Sequence, residues 1–157
     1  MRRVGEPEIR AESADDPAGR ALLVAYIADA TTRIGEWDET RTPPAGAEAM
    51  APPGGAFLVA YLAGEPVGCA GLVRLDEHTG EVKRMYVAPA ARRRGLARAL
   101  LARLEEAALA AGYARVRLDT SAGQPEARAL YEAMGYRHIE AYNDNQYAAH
   151  WFEKELE

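Results

Sequence analysis

Glu81-Val82-Lys83-Arg84-Met85-Tyr86-Val87-Ala88-Pro89-Ala90-Ala91-Arg92-Arg93-Arg94-Gly95-Leu96-Ala97 is the stretch on which the fold turns. Its residues up to Val87 are a β-rich run, and Pro89 ends it because proline cannot donate a ladder hydrogen bond. A basic loop follows. From Leu96 onward, Leu96, Ala97, Leu100, Leu101, Leu104, Ala107, Ala108 and Ala111 share one arc of a helical wheel, and Gly112 stops the helix. Val116 to Thr120 is then strand-like. A strand, a loop, a helix and a second strand in that order predict a parallel pair of neighbours.

The loop has a chemistry of its own. A helix N-terminus presents N–H groups that no helical carbonyl accepts, with the positive end of the macrodipole behind them. Gly95 allows close approach of the backbone and Ala97 keeps the first turn clear. Arg92, Arg93 and Arg94 add permanent charge and forked donors for phosphate oxygens. Taken alone, the same residues also fit a solvated charged turn. From Val82 to Leu104 the chain carries Lys83, Arg84, Arg92, Arg93, Arg94, Arg98 and Arg103 with no Asp or Glu, although the whole chain has a net charge of -5. One positive segment in an acidic protein points to a compact anionic ligand, and the overall balance argues against nucleic acid.

Working outward, the N-terminal side supplies a first strand at Glu8 to Ser13 and a helix opened by Asp15-Asp16-Pro17, with Leu22, Leu23, Tyr26, Ile27, Ala30 and Ile34 at helical spacing. Residues Gly35 to Gly55 are rich in Pro, Gly, Ala and Glu and read as a partly helical, mobile segment. Phe57 to Leu62 and Val67 to Leu75 form a hairpin about a turn at Gly64-Glu65. A second turn, Glu77-His78-Thr79-Gly80, leads into Glu81 to Val87. On the C-terminal side, Pro125 opens a helix with the stripe Ala127, Leu130, Tyr131 and Met134, closed by Gly135. Tyr136 to Tyr142 and His150 to Leu156 are the last two strands. The predicted whole is one α/β domain over residues 1–157, an α+β mixed sheet flanked by helices.

Bulk properties set limits. A chain of 157 residues buries roughly two thirds of its extended-chain surface without disulfides or a structural metal. The lone Cys69 and the charged N-terminus suggest a reducing cytoplasm. Charges or Gly/Pro interrupt every hydrophobic run, which argues against a membrane span. His78, His138 and His150 lack metal-ligand spacing, so no metal is expected.

Two motifs carry a family resemblance. Val87-Ala88-Pro89-Ala90-Ala91-Arg92-Arg93-Arg94-Gly95-Leu96-Ala97 resembles the coenzyme A signature of the GNAT superfamily of N-acetyltransferases, Gln/Arg-x-x-Gly-x-Gly/Ala after a Val-x-Pro strand end. Gln124-Pro125-Glu126-Ala127-Arg128-Ala129-Leu130-Tyr131-Glu132-Ala133-Met134-Gly135-Tyr136 resembles the family's Asn-x-x-Ala-x-x-Leu-Tyr-x-x-x-Gly-Phe helix. Ala97 stands for the commoner Gly, and Gln124 stands where Asn usually contacts the cofactor, keeping both an amide donor and an acceptor on a longer arm.

The resemblance implies the GNAT acyl-CoA N-acyltransferase fold, with a mostly antiparallel central sheet and one splayed parallel pair. It further implies that acetyl-CoA is the co-substrate, bound by the loop Arg92, Arg93, Arg94, Gly95, Leu96 and Ala97, by the strand end Met85, Tyr86 and Val87, and by Gln124. Pantetheine would enter the splay like an added strand. Glu81 matches the catalytic glutamate of one family branch by its separation from Arg92. As a strand-end residue it also fits a pairing with Lys83 or Arg84. Tyr131 matches the tyrosine that protonates the departing thiolate, a role compatible with ring packing in the core. Arg33, Glu36 and Trp37 are the candidates for the acceptor side, and ordinary surface residues are the other reading. Cys69 reads as a small buried residue rather than a nucleophile.

The expected function is acetyl transfer from acetyl-CoA to a primary amine of a small molecule. Acetylation of a protein N-terminus or lysine, and a non-catalytic coenzyme A-binding sensor, are the alternatives. The Asn143-Asp144-Asn145-Gln146-Tyr147 run reads as a loop contacting substrate or a second subunit, so a homodimer is possible.

Overall fold

A computed structural model describes residues 6–35 and 46–157. The elements run β1 (Glu8–Ala11), α1 (Pro17–Ile34), β2 (Ala56–Leu62), β3 (Glu65–Asp76), β4 (Thr79–Val87), a 3-10 turn at Pro89–Ala91, α2 (Leu96–Ala110), β5 (Arg115–Ser121), α3 (Pro125–Ala133), β6 (Arg137–Ile139) and β7 (Ala148–Glu155). The strands form one sheet in the order β1-β2-β3-β4-β5-β7-β6, in which only β4 and β5 are parallel neighbours. This is the mixed, mostly antiparallel sheet expected from the sequence.

Strand alternation divides the apolar side chains between two faces. Leu58, Ala60, Leu72, Val116, Leu118 and Phe152 pack against Leu96, Leu100, Leu101 and Leu104 of α2 and Tyr131 of α3. Phe57, Val59, Tyr61, Cys69, Val73 and Tyr86 face Leu22 of α1 and Met50. The small residues of β3 make room for these layers. A Cβ on Gly68 would lie 2.9 Å from the Tyr86 carbonyl, and one on Gly71 would lie 2.3 Å from Met50 Sδ.

Several sequence expectations shift here. The first turn is Ala63-Gly64, with φ of 50° and 83°, and Glu65 already pairs with Leu62. The second turn is only Glu77-His78, where the His78 N–H donates to Asp76 Oδ1 over 2.8 Å. Gly80 belongs to β4, and its lack of a side chain serves packing rather than turning, because a Cβ there would meet Leu72 at 2.8 Å and the Tyr113 ring at 3.0 Å. Ile27 of the predicted α1 stripe is exposed. The strand expected from Tyr136 to Tyr142 shortens to Arg137–Ile139, and residues 140–147 leave the sheet edge to lie over Glu81 and Asp119, on the same face of the sheet as α1.

One irregularity positions the site. Gly71 pairs with Lys83 while Cys69 pairs with Tyr86, so β4 carries one residue more than β3 across this span. Arg84 takes up the extra residue with φ of 57°. Such a bulge inverts the alternation. Before it, Val82 faces α2 and Glu81 and Lys83 face the α1 side; after it, Met85 and Val87 face α2 and Tyr86 faces α1.

Candidate functional site

The parallel pairing of β4 and β5 covers Thr79↔Arg115, Gly80↔Val116 and Glu81↔Arg117, and then stops. Beyond Glu81 the two strands part, and a cleft opens between them. Val82, Lys83, Arg84 and Met85 line one side, and Leu118, Asp119, Thr120 and Ser121 the other. Tyr131 and Gln124 close it from α3, and Tyr26, Ala30 and Arg33 from α1. A strand edge without its ladder partner offers N–H and C=O groups to an extended ligand.

Gly95 at the start of α2 has φ of 78° and Arg93 has φ of 66°. No protein atom lies within 4 Å of where a Gly95 Cβ would sit, so the chain itself requires glycine for the left-handed backbone and leaves open space above the loop. Alternating left- and right-handed residues at a helix N-terminus turn successive N–H groups toward one point, a concavity suited to an anion. Arg93 and Arg94 are exposed beside it, while the Leu96 side chain is buried in the core. Arg92 behaves differently. Its Nε donates to the Val87 carbonyl over 2.8 Å and its Nη2 reaches Asp29 of α1 at 3.3 Å.

Asp29 also accepts from Arg33 Nε at 3.3 Å. Arg33 Nη1 donates to Ser121 Oγ over 3.2 Å, and Ser121 in turn donates to Gln124 Oε1 over 2.8 Å. This chain of polar contacts ties α1 to the ends of β4 and β5, and it sets Arg33 and Gln124 in the cleft wall. Glu36 and Trp37 lie outside the described residues.

Glu81 is 4% exposed and holds a full set of partners. Tyr142 donates its hydroxyl to Oε2 over 2.6 Å, Asn143 Nδ2 approaches the same oxygen at 3.4 Å, and Lys83 Nζ lies 3.4 Å from Oε1. The pairing with Lys83 offered by the sequence is present, and the loop 140–147 covers the carboxylate. Asn143 Nδ2 also donates to Asp119 Oδ2 over 2.8 Å, and Asn145 Nδ2 donates to Asp119 Oδ1 over 3.1 Å. Trp151 Nε1 fixes Asn143 through its carbonyl oxygen at 2.9 Å. Burial, then the neighbouring Glu81 carboxylate, raise the pKa of the Tyr142 hydroxyl, so it stays a donor.

Tyr131 is buried with its ring against Tyr136 and Phe152, at centroid distances of 5.9 and 5.7 Å, and it lines the cleft as well. Core packing and a cleft position thus coexist in one side chain. Burial first, and the negative ends of Tyr26 and Asp119 next, push its phenol pKa upward, so the hydroxyl keeps its proton. Nearby, Thr120 Oγ1 is buried without a hydrogen-bond partner. Burial pushes the Cys69 thiol up to about 12, and it donates to the Arg84 carbonyl, which removes it as a nucleophile.

Asp119, Thr120, Tyr142 and Trp151 are not marked by any motif in the sequence. Asp119 and Tyr142 meet partners distant in the chain, so no local spacing announces them. The Asn143–Tyr147 run, expected to touch substrate or a second subunit, bonds to the chain's own sheet and places Asn145 and Tyr147 in the cleft lining. His138 and His150, distant in sequence, stand 5.4 Å apart as a ring pair. No cluster among the described residues has three or more groups able to hold a metal, and no helix among them is long and apolar enough to cross a membrane.

The chain belongs to the acetyltransferase (GNAT) family, whose pattern its residues 20–136 match. It is 42% identical over 91 residues to IAA acetyltransferase of Azospirillum brasilense, covering 57% of this chain and 59% of that protein. It is 41% identical over 93 residues to N-acetylaspartate synthetase of Rattus norvegicus, covering 59% of this chain and 31% of that one. The matched region therefore spans less than two thirds of either relative. In fold it is similar to YncA of Salmonella typhimurium, solved with its cofactor acetyl-CoA, with a TM-score of 0.74 at 20% identity over 97% of this chain and 95% of that one.

Proposed function

We propose that this chain transfers the acetyl group of acetyl-CoA to the primary amine of a small molecule. The observation that carries the reading is the splay of β4 from β5 immediately after the Glu81–Arg117 pair, leading along β4 to the anion-binding loop at Gly95. The pyrophosphate sits on the N–H groups of Arg94 to Ala97 with Arg93 and Arg94 beside it. Pantetheine runs along the unpaired edge of β4 past Val87 and Met85, which brings the thioester to the splay point between Val82 and Leu118.

The amine nitrogen attacks the thioester carbonyl directly, and the carbon–sulfur bond breaks as the amide forms. Backbone N–H groups of the β4 edge take the developing oxyanion. Glu81, buried behind the cleft wall, receives the amine proton through a water, and Tyr131 gives its proton to the leaving thiolate. No acyl-enzyme forms, in keeping with the inert Cys69.

The relative named for N-acetylaspartate supports a small-molecule acceptor here. The free, buried Cys69 fits a cytoplasmic setting. The test is steady-state release of coenzyme A thiol over a panel of primary amines, with the N-acetyl product identified by mass. Amine-dependent release supports the reading. Acetyl-CoA binding with no amine-dependent release overturns it in favour of a binding domain.

A further inference from the structure

A chain of hydrogen bonds with a single direction ends at Gln124. It starts at the Asp29 carboxylate of α1, where Oδ2 accepts from Arg33 Nε at 3.3 Å and Oδ1 accepts from Arg92 Nη2 at 3.3 Å. A guanidinium can only donate, and Arg33 Nη1 donates onward to Ser121 Oγ at the end of β5 over 3.2 Å. With its oxygen engaged as an acceptor, the Ser121 hydroxyl gives its own proton to Gln124 Oε1 over 2.8 Å. Gln124 is the N-cap residue of α3, and it lines the cleft together with Arg33 and Ser121.

The direction of that chain decides what the amide can bind. Because Ser121 holds the oxygen of the Gln124 amide, the Nε2 group is the part left to offer, with two N–H donors. Turned the other way, the amide would offer an acceptor instead. A free glutamine samples both orientations and several rotamers, and it gives up that freedom when a ligand is bound. Holding one orientation beforehand lowers that cost. The acceptors that acetyl-CoA carries into the splay are carbonyl oxygens, those of its pantetheine arm among them, and they match an N–H donor.

We propose that Ser121 and Arg33 are positioning residues for acetyl-CoA, which turn the Gln124 amide so that its Nε2 donates to a carbonyl of the pantetheine arm. This rests on the cofactor placement proposed above and adds to it one residue of β5 and one of α1. Arg33 then acts in holding the donor rather than the acceptor. Asp29 backs the relay by anchoring Arg33, and through Arg92 it joins the end of β4 to the same network.

The experiment is calorimetric titration with acetyl-CoA of the parent chain, Gln124→Ala, Ser121→Ala, Ser121→Thr, Arg33→Ala, and the doubles that add Ser121→Ala or Arg33→Ala to Gln124→Ala. Gln124→Ala should weaken binding by about threefold to tenfold, the range of one neutral hydrogen bond. Ser121→Ala and Arg33→Ala should each weaken it by about twofold to fivefold, and Ser121→Thr, which keeps the hydroxyl, should bind like the parent. Neither Ser121→Ala nor Arg33→Ala should cost anything further in the Gln124→Ala background, because both act through that amide. A merely structural contribution persists there, so equal losses in that background would overturn the proposal. Parent-like affinity of Ser121→Ala and Arg33→Ala beside a weakened Gln124→Ala would overturn it as well. If Gln124→Ala binds like the parent while Arg94→Ala does not, the amide contact fails and the loop reading stands. If neither of those two loses affinity, the cofactor placement fails too. Thermal melts of each variant ensure that affinities are compared between folded chains.

Discussion

Tyr142 donates its hydroxyl to Glu81 over 2.6 Å across a separation of 61 residues, and with the bonds from Asn143 and Asn145 to Asp119 it holds the loop 140–147 over the point where β4 and β5 part. The pairing makes the proposed base depend on a residue outside both family motifs. Tyr142→Phe should lower kcat by about tenfold, because a positioned proton acceptor loses the donor that holds it, while the KM for acetyl-CoA stays constant. Glu81→Gln should flatten the acidic limb of the kcat/KM profile. Stopped or continuous thiol assays across pH check both.

Tyr131 keeps its proton through the neutral range because burial disfavours the phenolate. Tyr131→Phe retains the ring contacts with Tyr136 and Phe152 and removes only the donor. Turnover should fall by about 10²-fold or more with acetyl-CoA affinity preserved. Wild-type turnover in this variant would assign the residue to packing alone.

The arginines of the loop should divide by role. Arg93→Ala and Arg94→Ala should each weaken acetyl-CoA binding by about 1–3 kcal/mol, more at low salt than at high salt. Arg92 is tied to the Val87 carbonyl and to Asp29. Arg92→Ala should therefore also lower the melting temperature. Calorimetric titration with scanning melts separates the two effects.

Thr120 Oγ1 is buried and unpaired in the cleft wall. A buried orphan hydroxyl costs stability unless a ligand satisfies it. Thr120→Val should leave stability unchanged or raise it by up to about 1 kcal/mol, and it should weaken acetyl-CoA binding by a similar amount. Loss of stability with unchanged binding would contradict a ligand contact at this hydroxyl.

Glu153 gives a pH signature independent of catalysis. Burial raises its pKa, but hydrogen bonding and charge from Arg117, with the charge of Arg137, outweigh it and hold the carboxyl below its ordinary 4.5. A depressed folded-state value means that the stabilisation is complete above the unfolded value and disappears as pH falls through the folded one. Acid melts below about pH 4.5 should lose this contribution, and Glu153→Gln should cost about 1.5–3 kcal/mol at neutral pH while flattening that acid dependence.

The order of strands and helices was legible because its determinants are local. Pro89 ends a strand, Gly95 starts a helix from a left-handed residue, and the Leu96–Ala111 stripe buries one face. Glu81 and Tyr131 were reached through motif resemblance, and both lie at the cleft or directly behind its wall. What stayed hidden depends on distant partners. Gly80 reads as a turn residue until the Tyr113 ring is found packed on it. The bulge at Arg84 exists only in the pairing with β3. Tyr142 looked like the end of a strand because its attraction is to Glu81, not to its neighbours. Asp119 sits in an ordinary strand pattern, and only Asn143 and Asn145 mark it out.

Direct transfer from thioester to amine across the splay between β4 and β5, with no acyl-enzyme, is the step proposed for this chain. A single-turnover reaction with isotopically labelled acetyl-CoA and a preferred amine, quenched in time and read by mass spectrometry of protein and small molecules, tests it most directly. Label should pass to the amine in step with coenzyme A release, with no acetylated protein at any time and no release when amine is omitted. Label appearing first on the protein, or thiol release that ignores the amine, would contradict it.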